Sequence, residues 1–316
     1  LLKSFHTADY IAVLKKTEVS QKISEKDAKT YNIGSLSNPI FPEMFKRPAT
    51  SVGSSLLAAD LVANGGRAYS LGGGLHHGMT GYANGFCFLN DLAFAINRLR
   101  DLGVQRIAYI DLDAHHCDGV AAAFPEDENL FVVSTHERKR WPFTGGLDEN
   151  IPDRFLNVPL PSHCNDTEFM FVFEKLVLPL LDRFHPEALI IQGGADALVE
   201  DPMSRLCLSN QVIFKILSIL IGSSQRVLLT GGGGYNPWTV ARLWTGFWAL
   251  ISGRTIPEVL PNQATELLRS LSWQRRIKPK EILLNSIYDV PMEGQLRDEV
   301  RDIVKKVSSL HKFKHS

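Results

Sequence analysis

Five short apolar runs constrain this chain more than any other feature of its sequence. They cover residues 67–71, 106–111, 130–135, 188–192 and 226–230, are rich in Val, Ile, Leu or Tyr, and most close on glycines or a polar cluster. Segments of helical character lie among them at 51–63, 90–102, 166–184, 209–221 and 237–251. The last of these opens with Asn236-Pro237, a capping residue followed by Pro at the first helical position. Alternation repeated this often predicts an α/β fold: a central, mostly parallel sheet with helices on both faces. No internal repeat or low-complexity tract interrupts it. Residues 17–29 are polar and charged, which predicts a surface loop or an exposed helix. Residues 253–295 are expected to wrap the back of the sheet or to form a small appendage. Residues 296–316 read as a charged terminal helix with a basic end, its charges solvated rather than forming a binding tail.

Composition narrows the function. Lys and Arg number 34 and Asp and Glu 34, a balance that argues against a broad nucleic-acid-binding surface. No apolar run approaches the roughly 20 residues of a membrane span, so no membrane partner is expected. A chain of 316 residues can bury a large core and needs no disulfide to fold. Cys87, Cys117, Cys164 and Cys207 are scattered with no C-x-x-C pair, and read as free thiols of a reducing compartment. That predicts a cytoplasmic protein, or a nuclear one in a eukaryote. The opening LLKSFHTADYIAVLKK has no long apolar stretch of a secretory leader, and its start at Leu1 suits a trimmed chain. Oligomeric state is left open.

In open parallel sheets, ligands bind beyond the carboxyl ends of the strands. Here the unusual polar clusters fall there: LGGGLHHG, DLDAHHCDG, Ser134-Thr135-His136, GGADALVED and GGGGYN each follow or close one apolar run. Five clusters at one end of a sheet converge in space. If the second strand continues to Asp113, Asp111 and Asp113 point one way and Leu112 the other. His115 comes just beyond, and Asp196 of GGADALVED supplies a further carboxylate. Two carboxylates and one imidazole suit a borderline divalent ion such as Zn²⁺, with a position left for water and substrate. The adjacent His76 and His77 need acceptors for their ring N–H groups, and Asp111 and Asp118 are the natural partners. A carboxylate behind an imidazole fixes its tautomer and raises its pKa, as acid–base chemistry near neutrality requires. Tyr235 closes a run of glycines that lacks the Lys-Ser/Thr of a phosphate loop, so its hydroxyl reads better as a donor to an oxyanion.

Taken together, LGGGLHHG, GFCFLND, DLDAHHCDG, GGADALVEDP and GGGGYNPW, in that order between residues 37 and 251, resemble the zinc-dependent histone deacetylase family, with its acetoin-utilisation and acetylpolyamine branches. The resemblance implies one arginase-like domain over 1–316 with a sheet of about eight strands. Within it, 1–36 is a partly truncated N-terminal region and 253–316 a peripheral segment. It implies Zn²⁺ on Asp113, His115 and Asp196. His77, backed by Asp118, is then the general base and later the general acid. His76, backed by Asp111, is its electrostatic partner, and Tyr235 polarises the acetyl carbonyl. Gly85, Phe86, Trp141 and Met203 line the substrate tunnel. A structural K⁺ belongs with Asp111, Asp113, His115, Ser134 and Thr135, several through backbone carbonyls. The implied reaction is hydrolysis of an acetyl amide, with release of acetate.

Several residues depart from the family pattern. Cys117 replaces the usual Gly of the metal loop, and Ser37 stands where an Asp usually clamps the substrate backbone. The family's opening strand, its His-Pro-rich loop and the arginine near the site floor are not visible before Phe5. Met203 stands near the place where the polyamine-selective branch carries Glu, and a thioether suits an apolar rim instead. This favours acetyl-lysine in a protein or peptide over a small acetylated amine, which remains the alternative. An arginase-type hydrolase is disfavoured because Leu198 stands two residues after Asp196, where a second metal would need a ligand. An inactive acetyl-lysine-binding scaffold is the remaining reading, disfavoured because no expected catalytic side chain is missing.

Overall fold

The computed structural model describes residues 1–273, 275 and 278–311. Helices α1 (Ala8–Ser20), α2 (Glu25–Tyr31) and α3 (Lys46–Val62) lead into strand β1 (Gly66–Ser70). Then come α4 (Asp91–Asp101), β2 (Ile107–Asp111), α5 (Asp118–Ala123), β3 (Leu130–Glu137) and β4 (Phe155–Leu160). A long helical stretch follows: α6 (Asp166–Val172), a π-helical turn (Phe173–Val177) and α7 (Leu178–Phe184). Strand β5 (Ala188–Gln192), α8 (Asn210–Ser223), β6 (Arg226–Thr230) and α9 (Pro237–Ile251) complete the alternation. Three helices close the described chain: α10 (Asn262–Ser270), α11 (Ile282–Asn285) and α12 (Asp298–Leu310). No helix among the described residues is long and apolar enough to cross a membrane.

The strands form one sheet in the order β1-β6-β5-β2-β3-β4, every neighbouring pair parallel. Alternation along each strand feeds two cores. Ala108, Ile110, Val133, Leu189, Ile191, Val227 and Leu229 pack on one face with residues of α6 to α9 and α12. Ile107, Tyr109, Val132, Ala188, Ile190 and Leu228 pack on the other with α3, α4 and Val120 of α5. Burying each large aliphatic side chain contributes about 1.5–3 kcal/mol, so the central strands are the most strongly held part of the molecule.

The sheet has six strands among the described residues, not about eight. The residues ahead of β1 fold as α1 to α3, and the first of these buries Tyr10, Ile11 and Leu14 in a separate apolar cluster. Nothing described pairs with the outer edge of β1, whose Gly66–Tyr69 stretch is partly exposed. Strand β4 is an addition. Its FLNVPL carries Asn157 and Pro159, which mask a strand in the sequence, and Pro is tolerated because β4 lies at the other edge.

Residues 17–29 span the end of α1 and most of α2, both surface helices. Residues 253–295 contribute α10 and α11, which gather around Trp238 of α9. Buried Arg242 anchors the same segment, donating to Asp289 Oδ1 at 2.6 Å and to the Ser286 carbonyl at 2.6 Å. The terminal helix α12 is not solvated all round, because it buries Val300, Ile303, Val304 and Val307 in the main core. The basic end at 312–316 lies outside the described residues. All four cysteines are free thiols, three of them buried and Cys207 partly exposed.

Candidate metal centre and active site

Strand β2 ends at Asp111, and one further ladder bond, from Leu112 N to the Gln192 carbonyl at 3.1 Å, carries its direction onward. Leu112 enters the core while Asp111 and Asp113 stay on the opposite side, both buried. The loop is fastened by its own carboxylates. Asp111 Oδ1 accepts from Asp113 N at 3.1 Å, and Asp113 Oδ1 from His115 N at 3.0 Å. Cys117 is buried in the apolar cluster with Tyr109 and Val120, so it packs beneath the loop.

Asp196, after β5, comes to the same place. Its Oδ1 accepts from Ala114 N at 2.9 Å. His115 Nδ1 lies 3.0 Å from both Asp113 Oδ1 and Asp196 Oδ2, and one ligand atom from each of these residues falls within 4.8 Å of the others. The donor set fits a divalent cation. Burial and the neighbouring Asp113 raise the Asp196 carboxyl to about 7. Two carboxylates in one dry site resist ionising together, and a cation between them removes that resistance. Burial would lower the His115 imidazole, but Asp196 and Asp113 outweigh it and hold it well above its usual range. Backbone also makes room: a Cβ on Gly233 would stand 2.3 Å from Asp196 Oδ2 and 2.8 Å from Asp113 Oδ2.

The two other histidines face this cluster. His76 Nδ1 lies 2.8 Å from Asp111 Oδ2, and His77 Nδ1 lies 2.6 Å from Asp118 Oδ1. Their rings are 3.9 Å apart, too close for both to carry charge without cost. Burial opposes the charged form of His76, but Asp111 and Asp113 overcome it and raise its pKa to about 9. Burial and then His76 lower His77 to about 4, against the pull of Asp118. The two imidazoles are thus shifted in opposite directions, His76 up and His77 down. Burial, followed by Asp196 and Asp113, pushes the Tyr235 hydroxyl well above its ordinary pKa, so it remains a donor.

A cleft of 730 Å³ opens in front of these groups, and an inner cavity of 90 Å³ reaches both histidines, the three candidate ligands and Tyr235. Phe86 and Trp141 flank the cleft, with Met203 at its edge. The Trp141 ring lies 4.6 Å from His77 and the Phe86 ring 5.9 Å from Tyr235. Gly85 permits the approach: its φ is +52°, and a Cβ there would stand 2.3 Å from the Trp141 ring. Ser37 lines the same cleft, its carbonyl accepting from Phe86 N at 2.9 Å.

A family profile described as a histone deacetylase domain matches residues 1–251. The chain belongs to the histone deacetylase family. That membership places it among hydrolytic deacetylases. A solved histone deacetylase homologue complexed with SAHA superposes with a TM-score of 0.92 at 39% identity, over 97% of this chain and 85% of that one. A homologue from Aquifex aeolicus gives 0.92 at 38%, with the same coverage. The acetoin utilization protein AcuC of Bacillus subtilis (strain 168) is 33% identical over 266 residues, 80% of this chain and 68% of that protein. AcuC of Staphylococcus aureus (strain MSSA476) is 31% identical over 323 aligned positions, 98% of this chain and 83% of that protein.

In this histone deacetylase domain, four supporting residues escape a reading of the sequence alone. Gln192 donates to Asp113 Oδ2 at 2.9 Å and accepts from Gly194 N at 2.8 Å. Asn84 donates to Asp118 Oδ2 at 2.8 Å. Asp91 accepts from Gly74 N and Leu75 N, which braces the loop that carries the histidines. Asp201 accepts from Tyr235 N at 2.6 Å, Asn236 N at 3.2 Å and Met203 N at 2.9 Å. The only signal in the sequence is an acid inside or beside an apolar segment, as with Asp91 in FCFLNDLAF.

Proposed function

We propose that the protein is a zinc-dependent protein lysine deacetylase, hydrolysing the acetyl amide of acetyl-lysine and releasing acetate. The observation that carries this reading is the buried cluster of Asp113, His115 and Asp196 within 4.8 Å, which shares a cavity with His77, an imidazole backed by Asp118 at 2.6 Å. Asp113, His115 and Asp196 are the residues that would hold Zn²⁺. The ion, when bound, supplies Lewis-acid polarisation and a more acidic water.

The chain's own groups do the rest. His77 accepts the proton of the attacking water at Nε2, since Nδ1 faces Asp118, and returns a proton to the leaving lysine amine. His76, backed by Asp111 at 2.8 Å, steadies the negative charge that develops beside it. The Tyr235 hydroxyl donates to the carbonyl oxygen as it becomes an oxyanion. Phe86 and Trp141 sheathe the lysine stem and exclude water, and the apolar Met203 at the edge supports acetyl-lysine over a cationic small amine. A structural K⁺ beneath the metal loop is part of the same reading. Asp111 and Ser134 are register partners on β2 and β3, and Thr135 Oγ1 donates to the Asp111 carbonyl at 3.1 Å, so those groups lie side by side.

The test is acetate release from acetyl-lysine peptides and, side by side, from acetylated polyamines, by protein of measured zinc content. Tyr235→Phe is expected to lower kcat by about 10²–10³ with zinc retained. Turnover near wild type in that variant removes Tyr235 from the reaction. One equivalent of zinc with no hydrolysis of either substrate class overturns the enzymatic reading.

A further inference from the structure

The mouth of the 730 Å³ cleft is unevenly charged. Among the described residues that line it are four cations, Arg138, Lys139, Arg140 and Arg205, and a single acid, Glu137. The chain as a whole carries 34 cations against 34 acids, so this excess is local. Glu137 is already committed: it is buried, and its Oε2 accepts from Arg140 Nε at 2.5 Å and from Arg205 N at 2.8 Å. Arg138 is paired outward, with Glu299 of α12 at 2.5 Å. Lys139 and Arg205 are exposed and form no ion pair among the described residues. Ser37, which lines the same cleft, offers only a neutral hydroxyl.

Phe86, Trp141 and Met203 line the same cleft and carry no charge, so they would meet only the uncharged stem of an acyl-lysine. Charge discrimination therefore falls to the rim, where the neighbours of that lysine would lie. The net positive charge left by Lys139 and Arg205, set beside uncharged walls, focuses its field on whatever enters. Cationic residues on either side of the lysine are repelled by it, and carboxylates are drawn in.

We infer that the substrate is a protein segment whose acetyl-lysine is flanked by acidic side chains, read by Lys139 and Arg205 at the mouth of the cleft. This rests on the deacetylase reading above and adds the substrate class. A polycationic tail and a polyamine are both disfavoured by the same charges.

The test uses the zinc-loaded full chain and three peptides that share one central acetyl-lysine. Their two residues on each side are acidic, neutral or basic. Affinity is read by fluorescence anisotropy of labelled peptide, and kcat/KM by acetate release, at 25 and 500 mM NaCl, concentrations of about those values bracketing weak and strong screening. Acidic flanks are expected to bind best and basic flanks worst, over a range of about tenfold at low salt that contracts to about twofold at high salt. Lys139→Glu combined with Arg205→Glu is expected to reverse the order. Equal affinities at low salt, a preference for basic flanks, or a ranking untouched by the double substitution would each overturn the inference. Ranked affinities with no hydrolysis of any peptide would leave the rim's preference standing and remove the deacetylase reading instead.

Discussion

Asp201 reaches the reaction only through other residues. Both its oxygens accept backbone amides: Oδ2 from Tyr235 and Asn236, Oδ1 from Met203. It therefore fastens the loop that carries the proposed oxyanion donor to the loop that carries a wall of the cleft. Bonds to an ionised acceptor are roughly twice as strong as neutral ones, and an amide in its place would turn one N–H toward another. Asp201→Asn is expected to lower kcat by about tenfold with a smaller change in KM, and to add little in a Tyr235→Phe background, because the two act as one unit. Steady-state kinetics on the four proteins of that cycle decide it, and fully additive losses would show that Asp201 does not act through Tyr235. A role of this kind is hard to read in a sequence. His76, Asp113 and His115 stand out because their chemistry resides in the side chain and needs that residue type at a strand end. Asp201, Gln192 and Asn84 act on groups far away in sequence, or on backbone that every residue has, so they become visible only once the loops have folded back.

The loop joining β6 to α9 shows how an element can be legible while its reason is not. In the sequence its glycines serve only to rule out a phosphate loop and to lead to Tyr235, whereas the contacts show close approach of backbone to carboxylates. Gly233 N donates to Asp113 Oδ2 at 2.9 Å, and the missing Cβ would overlap the Asp196 and Asp113 oxygens. Gly233→Ala should therefore displace the carboxylates or the loop, and weaken binding of the proposed Zn²⁺ by about 10- to 100-fold, as loss of an outer support typically does. Competition against a chromophoric chelator measures this, and unchanged affinity would show that the loop yields instead. The easiest strands to anticipate are β2, β5 and β6, because each is built around an unbroken apolar run. Strand β4 is the hardest, since Asn157 and Pro159 break its apolar character while its pairing with β3 supplies the stability that propensity does not.

Whole-molecule stability carries its own record of the packing between helical and loop layers. His6, ahead of α1, is buried; its Nδ1 lies 3.1 Å from the Met79 carbonyl and 3.2 Å from that of Thr80, while Nε2 accepts from Asn90 N at 3.1 Å. It joins the N-terminal helices to the loop carrying the histidines and to the cap of α4. Burial lowers its pKa from 6.5 to about 4. Between those values the unfolded chain binds a proton that the folded one refuses, so this residue's contribution to stability is present above pH 6.5 and is lost as pH falls toward 4. The slope approaches about 1.4 kcal/mol per pH unit in mid-window. In metal-free protein Asp196 works the other way: its carboxyl, raised to about 7 by burial and Asp113, favours the folded state as pH falls through the same window. A single melting curve against pH mixes these with other buried histidines such as His77 and His311, both also lowered to about 4, but a comparison isolates His6. His6→Asn keeps a donor and an acceptor but cannot titrate, so it is expected to be less stable than the wild type at pH 7. Between pH 6.5 and 4.5 it should lose less stability than the wild type does. Urea titrations of both chelator-treated proteins across that range measure the difference in slope, and parallel curves would show that protonation of His6 is not what acid acts on.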